Sequence, residues 1–356
     1  MHPFQRIAVA GVLVAGSAVL VSGCTNSSSI PIQTTGAKPH AAPRELTSIA
    51  NVEDSEIGKI VSFFGSDVTD VELEQLADLE NVCQLTLQEC REISDQGLAA
   101  LENATALKLL RLIRVPVSDE GLKHLRAASS LDELLLAHTE VTGAGLEHLA
   151  GTPIARLSIH SSKVTPSGLA SLVKLTSLRE LELHCPAVRI EDLASFAPLA
   201  RLELLVAERT PLGPNGLEKL RNHGQLRKLV VSAVDLKDDS LAVLRTLPEL
   251  EELSLAHAQI TDDGLKQFAS SKLKRLTLMA CERVSDKGLE NLGGLTALEY
   301  LDVTESGVQG VDLTGLAVIT TLREVTMSGD QFKGNAASIE ALKELLPNCV
   351  VQILRG

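Results

Sequence analysis

The stretch Leu250–Lys272, LEELSLAHAQITDDGLKQFASSK, decides the fold, because the next residues, LKRLTLMACERVSDKGLENLGGLTA (Leu273–Ala297), restate its apolar pattern. In the first copy Leu250, Leu253 and Leu255 fall at positions 1, 4 and 6, and Ile260, Leu265 and Phe268 at positions 11, 16 and 19. Working outward, the pattern recurs every 23 to 25 residues from Val82, Leu107, Leu131, Ile154, Leu178, Leu202, Leu226, Leu250, Leu273, Leu298 and Leu322. A fixed period of this size is the signature of a solenoid, in which each unit buries its apolar face only against its neighbours.

The first group of leucines ends in a period-2 alternation, which reads as a short strand with one face inward. From position 16 the apolar gaps widen to three, the spacing of a helix stripe. Each unit is therefore strand, turn and helix. Between strand and helix lies T/S-D-x-G-L, as in Ser94-Asp95, Ser118-Asp119, Thr261-Asp262 and Ser285-Asp286. The hydroxyl suits the orphan amides of the helix start and the carboxylate its positive end. The recurrent glycine (Gly97, Gly121, Gly145, Gly168, Gly216, Gly264, Gly288) sits where helix propensity disfavours it, and reads as clearance between neighbouring units.

On these residues the chain resembles the leucine-rich-repeat family over roughly three quarters of its length. The T-D-x-G-L helix start resembles the ribonuclease-inhibitor-like branch and its cysteine-containing subtype. The resemblance implies an α/β horseshoe with a parallel sheet on its concave face and short helices on its convex face. One departure is plain: the asparagine ladder of many members is missing, since position 9 holds Cys90, Val115, Thr139, Ser162, Pro186, Thr210, Val234, Ala258, Cys281, Ser306 and Asp330. Hydroxyls or other groups must satisfy the turn backbone instead. Residues 57–79 read as a degenerate first unit begun by Ile57 and Ile60, within an N-terminal cap of residues 49–81. Eleven repeats follow over 82–346, and 347–356 supply a last cap strand.

The first residues read as a processing segment. His2 and Arg6 precede an apolar run, Ile7–Val21, short for a membrane span. Leu20-Val21-Ser22-Gly23-Cys24 resembles a bacterial lipobox, which implies cleavage after Gly23 and acylation of Cys24, with residues 1–23 removed. Each buried methylene of such chains contributes about 0.8 kcal/mol, so several chains anchor durably. Residues 24–48, rich in Ser, Thr, Pro, Ala and Gly beyond the cysteine, read as a flexible tether. Thr25, rather than Asp, follows the anchor, which by resemblance favours the periplasmic face of a bacterial outer membrane.

The net charge of −13 argues against nucleic acid, whose binders carry basic patches. With aromatics at 2% and no Trp, the core is aliphatic. Apart from Cys24 the cysteines are Cys83, Cys90, Cys185, Cys281 and Cys349, with no disulfide framework evident. Cys90 and Cys281 take the inward position 9, whereas Cys83 falls on the outward face of its strand.

Positions 2, 3, 5, 7 and 8 of each strand read as paving the concave face, in columns of about 4.8 Å pitch. Eleven units then span roughly 50 Å. His138, His160, His184, Cys185, Glu182 and Glu208 gather on four successive strands. Zinc takes such ligands, yet no HExxH or paired CxxC accompanies them, so the histidines read first as part of a binding surface. No phosphate loop, dinucleotide fingerprint or nucleophile elbow is present, and most aspartates sit in the helix-start motif. No catalytic residue, metal or cofactor is therefore assigned. The function expected is a membrane-anchored scaffold that binds a protein through Arg111, Leu135, His138, His160, Glu182, His184 and Glu208. The alternatives are an envelope polymer as ligand, or a metal-dependent hydrolase with its site on the same face.

Overall fold

The computed structural model describes residues 50–354, except 79–80, 162, 193–195, 222, 233, 269–271, 331–332 and 334–335. The expected leader, Cys24 and the tether lie outside the described residues. Among the described residues, fourteen strands form one sheet in strict chain order. A hairpin of β1 (Ala50–Ser55) and β2 (Gly58–Phe64) begins it, and every later strand is parallel to the one before. The middle strands are β3 (Val82–Gln88), β4 (Leu109–Ile113), β5 (Glu133–Ala137), β6 (Arg156–His160), β7 (Glu180–His184) and β8 (Leu204–Pro211). The sheet continues through β9 (Lys228–Ser232), β10 (Glu252–Ala256), β11 (Arg275–Thr277), β12 (Tyr300–Asp302), β13 (Glu324–Ser328) and β14 (Val350–Leu354).

Register follows the repeat: Leu229, Leu253, Leu276, Leu301 and Val325 stand opposite one another, and all are buried. Burying each such side chain contributes about 1.5–3 kcal/mol, which is what ties one rung to the next. The connecting segments are 3₁₀ turns rather than α-helix, for example Gly97–Leu101, Gly121–Leu125, Gly264–Phe268 and Asp286–Gly294. The reason lies in the spacing already noted. Leucines three apart stack directly above each other at three residues per turn, and each unit leaves too few residues for an α-helix to propagate. Among the described residues only α1 (Asp70–Glu74) and α2 (Ala336–Leu345), at the two ends, are α-helical.

The Asp of the helix-start motif does something the sequence reading did not foresee: it bonds the following repeat, not its own helix. Asp262 accepts hydrogen bonds from the amide and hydroxyl of Ser285 at 2.8 and 2.7 Å. Asp70 does the same for Ser94, Asp95 for Ser118 and Asp238 for Thr261. Asp119 takes the amides of Thr142, Gly143 and Gly145, and Asp286 those of Gln309, Gly310 and Val311. The hydroxyl keeps its expected local role, since Ser94, Ser118 and Thr261 each accept the amide two residues on. The glycine is explained by the same contact. A Cβ on Gly121 would lie 2.6 Å from Asp95 Oδ1, and one on Gly97, Gly264 or Gly288 would collide with the preceding repeat's carboxylate. Clearance between units is thus why glycine recurs here. Among the described residues the ladder lapses between Thr142 and Asp238, where Glu191, bonded to the Asn215 amide at 3.2 Å, takes a comparable place.

Thiols and hydroxyls replace the missing asparagines. Cys90 Sγ donates to the carbonyl of Phe63 at 3.6 Å, Cys281 Sγ to that of Leu255 at 3.6 Å, and Thr210 Oγ1 to that of Leu183 at 2.9 Å. Each carbonyl belongs to the preceding rung. The strand ends turn through left-handed residues at position 8: Glu89, Arg114, His138, His257, Ala280 and Glu305 have φ between 53 and 58°. That conformation costs an L-residue about 1–2 kcal/mol. It aims the amide at the next strand: Arg114 N reaches Ala137 O at 2.8 Å, and His138 N reaches His160 O at 2.8 Å.

Several expectations need correcting. The first rung is phased differently: Val61 and Phe63 point inward opposite Leu85 and Leu87, while Ile57 sits exposed in the hairpin turn. Cys83 is buried rather than outward, because the hairpin covers the start of β3. Its Sγ contacts Lys59 O at 3.4 Å, beside a register shift between Lys59 and Ile60. Cys185, at position 8, is also buried, its Sγ 3.6 Å from Ile159 O, so it leaves the outward cluster. The five described cysteines are free thiols.

Candidate functional site

The outward face of the sheet is built row by row from the register. Arg111, Leu135, Ser158, Glu182 and Val206 form one row across β4 to β8. Ala137, His160 and His184 form the row beside it. Five parallel strands hydrogen-bonded in step hold these side chains, so their spacing is set by backbone rather than by loops. Leu135 is half-buried among them.

Charged groups on this face neutralise one another in part. Arg111 Nη2 lies 3.2 Å from Glu133 Oε1, and Lys228 Nζ lies 2.9 Å from Glu252. Arg156 pairs with Asp132 at 2.6 Å and Glu133 at 3.1 Å. The Arg275 guanidinium stacks 4.0 Å from the centre of the Tyr300 ring. These two residues stand opposite each other in register on β11 and β12.

His160, Glu182 and His184 converge. Glu182 Oε1 lies 2.8 Å from His184 Nε2 and 3.6 Å from His160 Nε2, and the two imidazoles are 4.2 Å apart between centroids. The hydroxyl of Ser158, also unremarked in the sequence, donates to Glu182 Oε2 at 3.0 Å and turns Oε1 toward the rings. The imidazoles of His160 and His184 hold the Glu182 carboxyl well below the usual carboxylate range, against an opposing effect of burial. His160 Nε2 is shielded from solvent and has no hydrogen-bond partner.

The other two members of the expected patch stand apart. His138 lies beyond its strand end, exposed in the left-handed turn. Glu208 is exposed and out of column, because β8 bulges: Ala207 pairs with Val231 but Pro211, not Glu208, pairs with Ser232. Thr210 explains the bulge. Its buried hydroxyl donates to Leu183 O and accepts the Cys185 amide at 2.8 Å, taking the place of strand pairing that stops at Glu182–Val206. A threonine at an inward turn position was visible in the sequence; its effect on register was not.

A family model for the leucine-rich repeat matches residues 247–269. Comparison with curated proteins gives no match. Among solved structures, an internalin (inlF) from Listeria monocytogenes is 20% identical, covers 79% of this chain and 87% of its own, and superposes with a TM-score of 0.51. The TLR13 chain of a TLR13–ssRNA13 complex is 19% identical over 81% of this chain and 45% of that one, with a TM-score of 0.51. This chain therefore spans less than half of that TLR13 chain. The fold these likenesses share with the strand order and register above is an open leucine-rich-repeat solenoid.

Proposed function

We propose that this protein is a lipid-anchored scaffold that holds a protein partner against the strand face of its solenoid. The observation that carries the reading is the in-step register of β4 to β8, which fixes Arg111, Leu135, Glu182 and their neighbours on a rigid frame. A surface ordered before binding loses little side-chain freedom on association, and a mixture of apolar, neutralised and polar groups suits a protein interface. Nucleic acid has no place in the proposal: with a net charge of −13 the chain offers phosphate no basic field, although the solved TLR13 structure is a complex with ssRNA13. The anchoring half rests on the lipobox-like run ending at Cys24, with the periplasmic face of an outer membrane as the favoured place.

Each half has its own test. Crosslinking in intact cells through a photoreactive residue at Leu135, compared with one at the convex Lys266, tests the face: adducts of one protein from position 135 alone are expected, and equal adducts from both refute it. Intact-mass analysis of the mature protein tests the anchor. An acylated N-terminal Cys24 is expected, and a mature terminus without acyl groups refutes it.

A further inference from the structure

We propose that His160, Glu182 and His184 form a binding site for a divalent transition-metal ion of the zinc class on the strand face. The proposal goes beyond partner binding and stands independently of it. One ligand atom from each residue lies within 4.8 Å of the other two. Zinc–nitrogen and zinc–oxygen bonds of about 2.0–2.1 Å in a tetrahedron separate neighbouring ligand atoms by about 3.3 Å. The observed separations from Glu182 Oε1, 2.8 and 3.6 Å, bracket that value, and the two imidazoles must draw in around the ion from ligand atoms no more than 4.8 Å apart.

Three further features point to a cation. His160 Nε2 is out of contact with water and makes no hydrogen bond, its carboxylate neighbour Glu182 Oε1 standing 3.6 Å away, a position a metal–nitrogen bond would satisfy. The Glu182 charge has no Lys or Arg partner among the described residues, its ion-pair neighbours being the two imidazoles. Ser158 fixes the far carboxylate oxygen, which is the outer-shell support that ligating carboxylates ordinarily have. All the ligands come from β6 and β7, whose pairing is complete through His160–His184. Beyond them the bulged β8 carries Glu208 away, so the set stops at three and leaves the fourth position of a tetrahedral ion to water or an incoming ligand. Cys185, adjacent in sequence, is not a ligand: its thiol is buried against Ile159 O.

The test titrates zinc chloride by calorimetry into the purified full-length protein after chelator stripping, with cobalt(II) absorption as an independent report of geometry. Wild type is expected to bind one equivalent. His160→Ala and His184→Ala are each expected to weaken binding at least about 100-fold, and Ser158→Ala about tenfold. His257→Ala and Glu208→Ala serve as controls and are expected to bind as wild type does. His160 is over a third exposed at its side chain, so its removal leaves the solenoid intact, which circular dichroism verifies. Absence of saturable zinc binding by wild type, or wild-type affinity in either histidine variant, overturns the proposal.

Discussion

Replacing Asp262 and Gly288, singly and together, isolates the contact that joins one rung to the next. Asp262→Ala removes two hydrogen bonds to a carboxylate, from the Ser285 amide and hydroxyl. Bonds to a charged acceptor contribute about 1.5–3 kcal/mol each when buried; in this half-exposed pair a loss of about 2 kcal/mol in total is expected. The Asn291 bond to Asp262 O is to backbone and survives. Gly288→Ala drives a methyl into the same carboxylate, a clash expected to destabilise by about 2 kcal/mol. In the double variant the carboxylate is gone, and of the atoms nearest the new methyl only Asp262 Cα, at 3.2 Å, remains in the way. The double variant should therefore lose about 2–2.5 kcal/mol rather than the additive value of about 4, a coupling near 2, against about 0.5 for sites that do not touch. Urea unfolding followed by circular dichroism measures all four proteins, with a common slope required across the set. Strict additivity would show that the glycine is present for some reason other than the aspartate.

Leu253→Ala, at an inward position 2% exposed, should cost about 2–5 kcal/mol, whereas Ser254→Ala on the outward face should stay within about 0.5 kcal/mol by the same melts. Thr210→Val keeps shape but leaves Leu183 O and the Cys185 amide unpaired, so a loss of about 1–3 kcal/mol is expected; Thr210→Ser should recover most of it, and an unaffected Thr210→Val would remove the hydroxyl as the cause of the bulge. Burial pushes the Cys281 thiol from 9.0 up to about 12 and Cys90 up to about 11. Because the folded value lies above the unfolded one, their contribution to stability is full below pH 9 and is lost as pH rises toward 11 and 12. The urea midpoint should accordingly fall across that window, and iodoacetamide at pH near 8 should leave both thiols unmodified in the native protein; rapid native alkylation contradicts their burial.

The rungs were legible because their signal is repeated burial, and Leu250, Leu253 and Leu255 bury the same face as their counterparts in every neighbouring unit. The turn type was in principle legible too: apolar gaps of three fit a 3₁₀ turn better than an α-helix, and Leu265 with Phe268 shows it. What escaped was interaction between units. Nothing local to Ser-Asp-x-Gly tells whether Asp262 bonds its own helix or Ser285 one period later, since both satisfy the same amide chemistry. The histidine site was half legible. Counting positions along strands placed His160 beside His184, but the same count placed Glu208 next in line, where a single buried hydroxyl on Thr210 bends β8 out of step. Cys185 was misplaced for a related reason: alternation along a strand holds only while the strand lasts, and position 8 already lies in the turn.

The lapse of the carboxylate ladder between Thr142 and Asp238 has a mechanical meaning. On either side, successive rungs are clasped by ionic hydrogen bonds near the start of each 3₁₀ turn, while across the interval they are held at that edge by Glu191 and by weaker neutral bonds such as Ser240 to Pro214 O. At that edge the interval depends on strand pairing and core packing instead, and the pairing that runs unbroken from β4 to β7 keeps the imidazole pair in step.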